Sequence, residues 1–205
     1  MTHYFIRLFF IALFAGTLAA CSDDAKLPAL ETGSTILAFG DSLTYGTGAS
    51  RDNAYPAVLE KLIRHKVINA GIPGEVSEKG LARLPGLIKK HRPGLIIICH
   101  GANDILRKLD LRKTRDNLQQ MISLAKDNNS EVVLIGVPEF SLFLSPEPMY
   151  QALAEKNQLP ISNDILAEII GNSTLKSDRV HPNAQGYQLL AQDIATLLRR
   201  SGAIP

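Results

Sequence analysis

Leu95-Ile96-Ile97-Ile98-Cys99-His100 is a run of five apolar residues closed by a histidine, and Gly101-Ala102-Asn103-Asp104 follows it. A strand with one wet face alternates apolar and polar residues. An unbroken β-branched run marks a strand covered on both faces, as in a parallel sheet. Working outward, residues 34–39 (STILAF) and 132–137 (VVLIGV) share this unbroken character. Residues 66–69 (KVIN) are a shorter example, and 159–162 (LPIS) a weak one. Between the runs the apolar spacing becomes helical. Tyr55, Val58, Leu59 and Leu62 form one stripe, with Pro56 near a first turn. Leu81, Leu84, Leu87 and Ile88 form a second, in which Pro85 predicts a kink. Leu118, Met121, Ile122 and Ala125 form a third, and Tyr187, Leu190, Ile194, Leu197 and Leu198 a fourth. Strand–helix alternation predicts an α/β fold: a three-layer α/β/α sandwich with a parallel sheet of about five strands. In such a sheet, ligands gather where loops leave the carboxyl ends of the strands.

The chain has 205 residues, room for one domain or a small pair. It is 45% hydrophobic and 20% charged, with 15 Gly and 11 Pro, which excludes a disordered or collagen-like chain. Lys+Arg 22 against Asp+Glu 20 leaves a net charge of +2, so no basic excess points to nucleic acid. Cys21 and Cys99 are too few for a disulfide framework or a thiolate metal cage. Cys99, inside an apolar strand, is read as an inert core residue.

Residues 1–20 stand apart. One cation, Arg7, precedes thirteen uncharged residues (LFFIALFAGTLAA), shorter than the ~20 a membrane-spanning helix needs. This is the pattern of an export signal. Leu18-Ala19-Ala20-Cys21 resembles a bacterial lipobox, in which cleavage before the cysteine leaves a thiol to be lipidated. The alternative is an ordinary signal that happens to contain a cysteine. Several acyl chains on one residue anchor stably where one would be marginal. Residues 22–33 (SDDAKLPALETG) are polar and aperiodic and are expected to be a tether, reaching ~40 Å when extended. The predicted organisation is a signal at 1–20, lipidated Cys21 and tether at 21–33, and a domain at 34–205. Ser22 beside the lipidated position resembles the sorting pattern of an outer-membrane lipoprotein facing the periplasm. Without the signal the chain keeps three Phe, four Tyr and no Trp, few stacking platforms for sugars or single-stranded nucleic acid.

Each expected strand end carries something polar. After the first comes Gly40-Asp41-Ser42-Leu43, where a serine hydroxyl can project above the sheet; a plain helix cap has the same signature. Thr44 stands where the second glycine of a G-x-S-x-G elbow would be. After the second strand, Gly74 in Ile72-Pro73-Gly74 either presents a backbone N–H or simply makes a turn. Beyond the third, Asn103 can donate its amide to an oxyanion or close an Asx turn. Near the C-terminus, Asp178 and His181 are spaced so that the carboxylate can orient the imidazole of a general base. His65 and His91 lie in polar helix ends. His100 ends a strand near the site with no acid adjoining it.

These blocks resemble the GDSL, or SGNH, hydrolase family over nearly the whole chain after the signal, in family order: Ser42, Gly74, Asn103, then Asp178 and His181 in D-x-x-H-P. Gly80-Leu81-Ala82-Arg83-Leu84-Pro85 is similar to a helix of the thioesterase I, arylesterase and lysophospholipase branch. Two departures stand out: Ala102 where a second glycine is usual, and His100 where that branch has an apolar residue. The resemblance implies a flavodoxin-like sandwich and a serine esterase acting on short or medium acyl esters, aryl esters, lysophospholipids or thioesters. It implies a triad of Ser42, His181 and Asp178, an oxyanion hole of Ser42, Gly74 and Asn103, and no metal or cofactor. The expected partners are a small-molecule ester and, through Cys21, a membrane; nucleic acid is not expected, and the chain is expected to be a monomer. An O-acetyl esterase of cell-envelope glycan uses the same triad and stays open as a second reading. A lipoprotein that only binds a partner has no need of all five polar residues. Phe140-Ser141-Leu142-Phe143-Leu144 either walls an acyl pocket or packs on a helix.

Overall fold

The computed structural model describes residues 25–140 and 144–205. The expected export signal at 1–20, Cys21 and residues 141–143 of the expected acyl wall lie outside the described residues.

Five strands form where the five apolar runs stand: β1 Ile36–Gly40, β2 Val67–Gly71, β3 Leu95–Cys99, β4 Glu131–Ile135 and β5 Ile161–Ser162. They make one sheet in the order β2-β1-β3-β4-β5, and every pairing is parallel. β1 and β3 run side by side, Ile36 opposite Leu95 through Gly40 opposite Cys99, and both are buried along their whole length. Their lack of alternation follows, since both faces are covered. Each Leu or Ile withdrawn from water there contributes about 1.5–3 kcal/mol. β2 lies on the edge and is partly exposed; β5 contributes two residues, paired with Leu134 and Ile135.

The helices are α1 Ser42–Tyr45, α2 Tyr55–Ile63, α3 Ser77–His91, α4 Ala102–Leu106, α5 Leu111–Asp127, α6 Pro148–Asn157, α7 Ile165–Gly171 and α8 Ala184–Ser201. Passing from β1 to β2 moves one way across the sheet, and from β2 to β3 the other. Right-handed crossovers therefore put α2 and α3 on opposite faces. α2 packs on α8, and α3 on α5, which completes the three layers. The stripe of α2 runs through Tyr55, Leu59 and Ile63 rather than ending at Leu62, which is exposed. Pro85 does not end α3, which continues for 15 residues; the proline sits on its exposed side.

The segment expected as a tether to Gly33 is docked well before that residue. The Leu27 N–H donates to the Ser201 carbonyl and that of Leu30 to the Ala203 carbonyl, both at 2.8 Å. Leu27 is buried among the core side chains, so an apolar anchor overrides the polar composition around it.

The strand order reverses at β1, so its carboxyl end, beside that of β3, faces the crevice where such sheets bind ligands.

Candidate active site

β1 turns into α1 within one residue. Asp41 caps α1, its Oδ1 accepting the Leu43 N–H at 3.1 Å. Capping therefore falls to Asp41 and leaves the Ser42 hydroxyl for another partner. The turn is crowded: a Cβ on Gly40 would lie 2.0 Å from the Cys99 carbonyl oxygen and 2.2 Å from Thr44 Oγ1. Glycine is needed at 40 for space. Thr44, at the position that departs from the G-x-S-x-G pattern, is buried with its hydroxyl 3.2 Å from that of Tyr55.

The partner of Ser42 comes from 139 positions away. His181 Nε2 lies 3.0 Å from Ser42 Oγ, and His181 Nδ1 lies 2.7 Å from Asp178 Oδ2. The second Asp178 oxygen accepts the backbone N–H groups of Val180 and His181, both at 2.9 Å. Burial would raise the Asp178 carboxyl, but those N–H groups and the imidazole outweigh it and hold it below its ordinary value. With Nδ1–H given to Asp178, the neutral ring presents an unprotonated Nε2 to the hydroxyl. The loop is closed at its base. The Ser177 N–H donates to the His181 carbonyl and that of Asn183 to the Leu175 carbonyl, both at 2.9 Å. Asn183 also caps α8 and donates to the Thr174 carbonyl at 2.8 Å.

Gly74 and Asn103 meet through the residue between Gly74 and α3. Asn103 donates its amide to the Glu75 carbonyl at 3.0 Å, which leaves its second N–H, and Arg107 donates to the Gly74 carbonyl at 2.8 Å. Gly74 has φ +76, left-handed backbone that a side chain strains, while its surroundings leave room for a Cβ. Its N–H donates to no group among the described residues. Ser42 opens α1, where the first N–H groups have no helical acceptor. Asn103 sits within α4 rather than in an Asx turn, and the neighbouring Asp104 ties that helix to two others. Its buried carboxylate accepts the Ser77 N–H at 2.8 Å, the Ser77 hydroxyl at 2.6 Å and the Thr114 hydroxyl at 3.2 Å.

His100 does have an acid, which adjacency in sequence hid. The ring is wholly buried, and its Nε2 lies 3.1 Å from Oε2 of Glu75, 25 positions away. Arg83 grips the same carboxylate through Nε and Nη2 at 2.7–2.9 Å. Burial alone would raise Glu75, but hydrogen bonds from His100 and Arg83 and the charge of Arg83 hold it below its ordinary value. Neither Glu75 nor Arg83 was legible as a site residue, because Glu75 lies in the loop before α3 and no spacing rule pairs a loop acid with a helix residue; Arg83 lay only within a motif quoted for its likeness. Asp41, wholly buried beside Ser42, was also missed; burial pushes its carboxyl up against the pull of His100 and the N–H groups of Leu43 and Ala102. Cys99 is a free, buried thiol pushed far up by desolvation, an inert core group.

Of the expected acyl wall, Phe140 packs on the core, and the neck is pinned by the Glu139 N–H donating to the Ser145 carbonyl at 2.8 Å. Four of the six exposed large apolar residues among those described, Tyr45, Ile72, Leu106 and Leu109, stand on the segments that follow β1, β2 and β3.

Residues 38–189 match the GDSL-like Lipase/Acylhydrolase family. The chain is 32% identical over 201 residues to an arylesterase of Vibrio mimicus, covering 93% of this chain and 96% of that protein. It is 31% identical over 175 residues to the thioesterase 1/protease 1/lysophospholipase L1 of Escherichia coli K12, covering 80% and 83%. The crystal structure of the psychrotrophic esterase EstA from Pseudoalteromonas sp., inhibited by monoethylphosphonate, superposes with a TM-score of 0.71 at 25% identity, covering 82% of this chain and 97% of that one.

Proposed function

Because this chain belongs to the GDSL-like lipase/acylhydrolase family, we propose that it cleaves esters through an acyl-enzyme on Ser42, with His181 as general base and acid and Asp178 orienting the imidazole. The protein is a carboxylic ester hydrolase of the GDSL, or SGNH, type, related to the thioesterase, arylesterase and lysophospholipase branch. The observation that carries the roles is the hydrogen-bonded chain from Ser42 through His181 to Asp178.

His181 Nε2 takes the proton as Ser42 Oγ bonds to the ester carbonyl carbon. The carbonyl π electrons move onto oxygen, and that oxyanion is met by the N–H groups of Ser42 and Gly74 and by the Asn103 amide. The bond to the leaving alkoxy oxygen then breaks, and that oxygen takes the proton from His181. Water repeats the sequence on the acyl-enzyme, releasing the acid and restoring Ser42. Asp178, held ionised, stabilises the imidazolium in both halves. The cycle as written uses no metal or cofactor. Ser42→Ala should abolish hydrolysis of a nitrophenyl ester while leaving the melting temperature unchanged; wild-type turnover in that variant would sink the assignment. Asn103→Ala should lower kcat by ~10²–10³, the usual loss for one oxyanion donor.

For substrates, the reading favours short- to medium-chain acyl esters, aryl esters and lysophospholipids, with thioesters also cleaved. The chain's likeness to the arylesterase of Vibrio and the thioesterase/lysophospholipase of Escherichia supports it, as do the exposed apolar residues on the segments that follow β1, β2 and β3. A series of nitrophenyl esters of increasing length, run with lysophospholipid competitor, checks it: chain-length-independent rates with no competition would refute the lipid preference.

The reading extends to location. Residues 1–20 leave as an export signal, Cys21 is acylated, and the domain, which begins at docked Leu27, acts as a monomer held at the outer membrane, facing the periplasm. The Leu18-Ala19-Ala20-Cys21 arrangement supports it. Cys21→Ser should abolish labelling by radioactive palmitate and move the protein to the soluble fraction; retained label would refute the anchor.

A further inference from the structure

We propose that Glu75, held by Arg83 and His100, is a positioning residue for the oxyanion-binding face: it fixes the Gly74–Glu75 peptide so that the Gly74 N–H and the Asn103 amide present their hydrogens together. The inference rests on the site reading above and adds to it three residues outside the triad and the oxyanion hole.

Backbone hydrogen bonds shape the Gly74 turn, and side chains orient its peptide toward the site. Ile72, Pro73 and Gly74 are exposed, so no apolar packing locates that peptide. The turn's own backbone closes it through the Glu75 N–H on the Ile72 carbonyl at 3.2 Å, and the Ile72 N–H donates to the Gly40 carbonyl at 3.1 Å. Two side chains hold its carbonyls, the Asn103 amide that of Glu75 and Arg107 that of Gly74. The Glu75 side chain, only 7% exposed, is a further hold. Arg83 grips it and also donates to the carbonyls of Gly40 at 3.1 Å and Ala70 at 2.9 Å, at the ends of β1 and β2. Its guanidinium stands 4.3 Å over the Phe39 ring. One planar fork therefore references the carboxylate to two strands, which a lysine's point charge cannot do.

His100 adds the third strand. Its Nδ1 accepts the Gly101 N–H at 2.9 Å, so the ring proton sits on Nε2 and donates to Glu75 at 3.1 Å. The imidazole fits because residue 80 is glycine; a Cβ there would lie 2.3 Å from Nε2. An apolar side chain would fill the volume at 100 but would leave the carboxylate with Arg83 alone. Since β3 runs directly into α4, His100 locks Glu75 to the segment that carries Asn103.

Positioning acts on the oxyanion and hardly on the ground-state ester, so its signature is a fall in kcat with KM unchanged. His100→Leu keeps an apolar filling and removes the donor; Glu75→Gln keeps the shape and removes the charge. Each should lower kcat about 10- to 100-fold, with KM within about threefold. His100→Gln, whose amide can replace the Nε2–H, should recover kcat to within about fivefold of wild type. Should His100→Leu fail to fold, Glu75→Gln carries the same test without a change of volume. Ser42→Ala assayed alongside separates the two claims: an active Ser42→Ala overturns the site reading and this inference with it. An inactive Ser42→Ala beside kinetically silent His100→Leu and Glu75→Gln overturns the positioning role alone.

Discussion

Glycines 40 and 74 flank the same site and need to be glycine for opposite reasons. Position 40 has ordinary backbone but no room, with the Cys99 carbonyl oxygen 2.0 Å from where a Cβ would stand. Position 74 has room but a φ of +76. Gly74→Ala should therefore fold, lose about 1 kcal/mol in urea denaturation and lose turnover, because its strain acts on the peptide that faces the oxyanion. Gly40→Ala should be recovered in poor yield and melt far lower. The charged residues carry a pH signature. Glu75 lies below its ordinary 4.5, so its contribution to stability is present above pH 4.5 and is lost as pH falls through the folded value. The melting-temperature gap between wild type and Glu75→Gln should accordingly narrow as pH drops below about 4.5; a constant gap would show the pair contributes nothing. Asp41 runs the other way. Its raised value makes the ionised group a burden that appears as pH rises through it.

Among the elements, the loop from Leu175 to Pro182 depends on the helix that follows. Asn183 accepts the Gly186 N–H at 3.0 Å and donates to the Thr174 carbonyl at 2.8 Å, so one side chain both starts α8 and holds the loop bearing Asp178 and His181. Asn183→Ala should cost about 1 kcal/mol in denaturant unfolding. It should also lower kcat, whereas a cap with no link to the site would change stability alone. α3 shows how packing overrides a local rule. Pro85 removes one backbone donor, yet Leu84 and Ile88 on either side of it are buried in the core and carry the helix past. Its apolar period was legible; that the helix runs on through Pro85 to His91 depends on what the opposite face packs against.

For the whole molecule, the docked N-terminal segment sets an orientation. Leu30 lies against Gly94 and near Ser34, at the amino ends of β3 and β1, whereas Ser42 stands at the carboxyl end of β1. If Cys21 is acylated, only residues 22–26 separate it from docked Leu27, at most about 21 Å of extended chain. The site then opens away from the anchoring bilayer. Vesicle-bound acylated protein should hydrolyse a soluble ester with kcat/KM within about twofold of the unanchored Cys21→Ser form; a tenfold loss would place the mouth against the membrane. At this scale the division between chain and fold is plain. The order of strands and helices and the parallel sheet were legible because apolar period depends on neighbours along the chain. Ser42, Gly74, Asn103, Asp178 and His181, by contrast, stood out only through their likeness to a family's motif blocks, each having a plain turn or cap reading of its own. The acid of His100, 25 positions away, and the hydrogen bond across 139 positions from His181 to Ser42 were decided only by tertiary structure. Sheet order and register determine which strand ends meet, and neither is encoded in the spacing of any one segment.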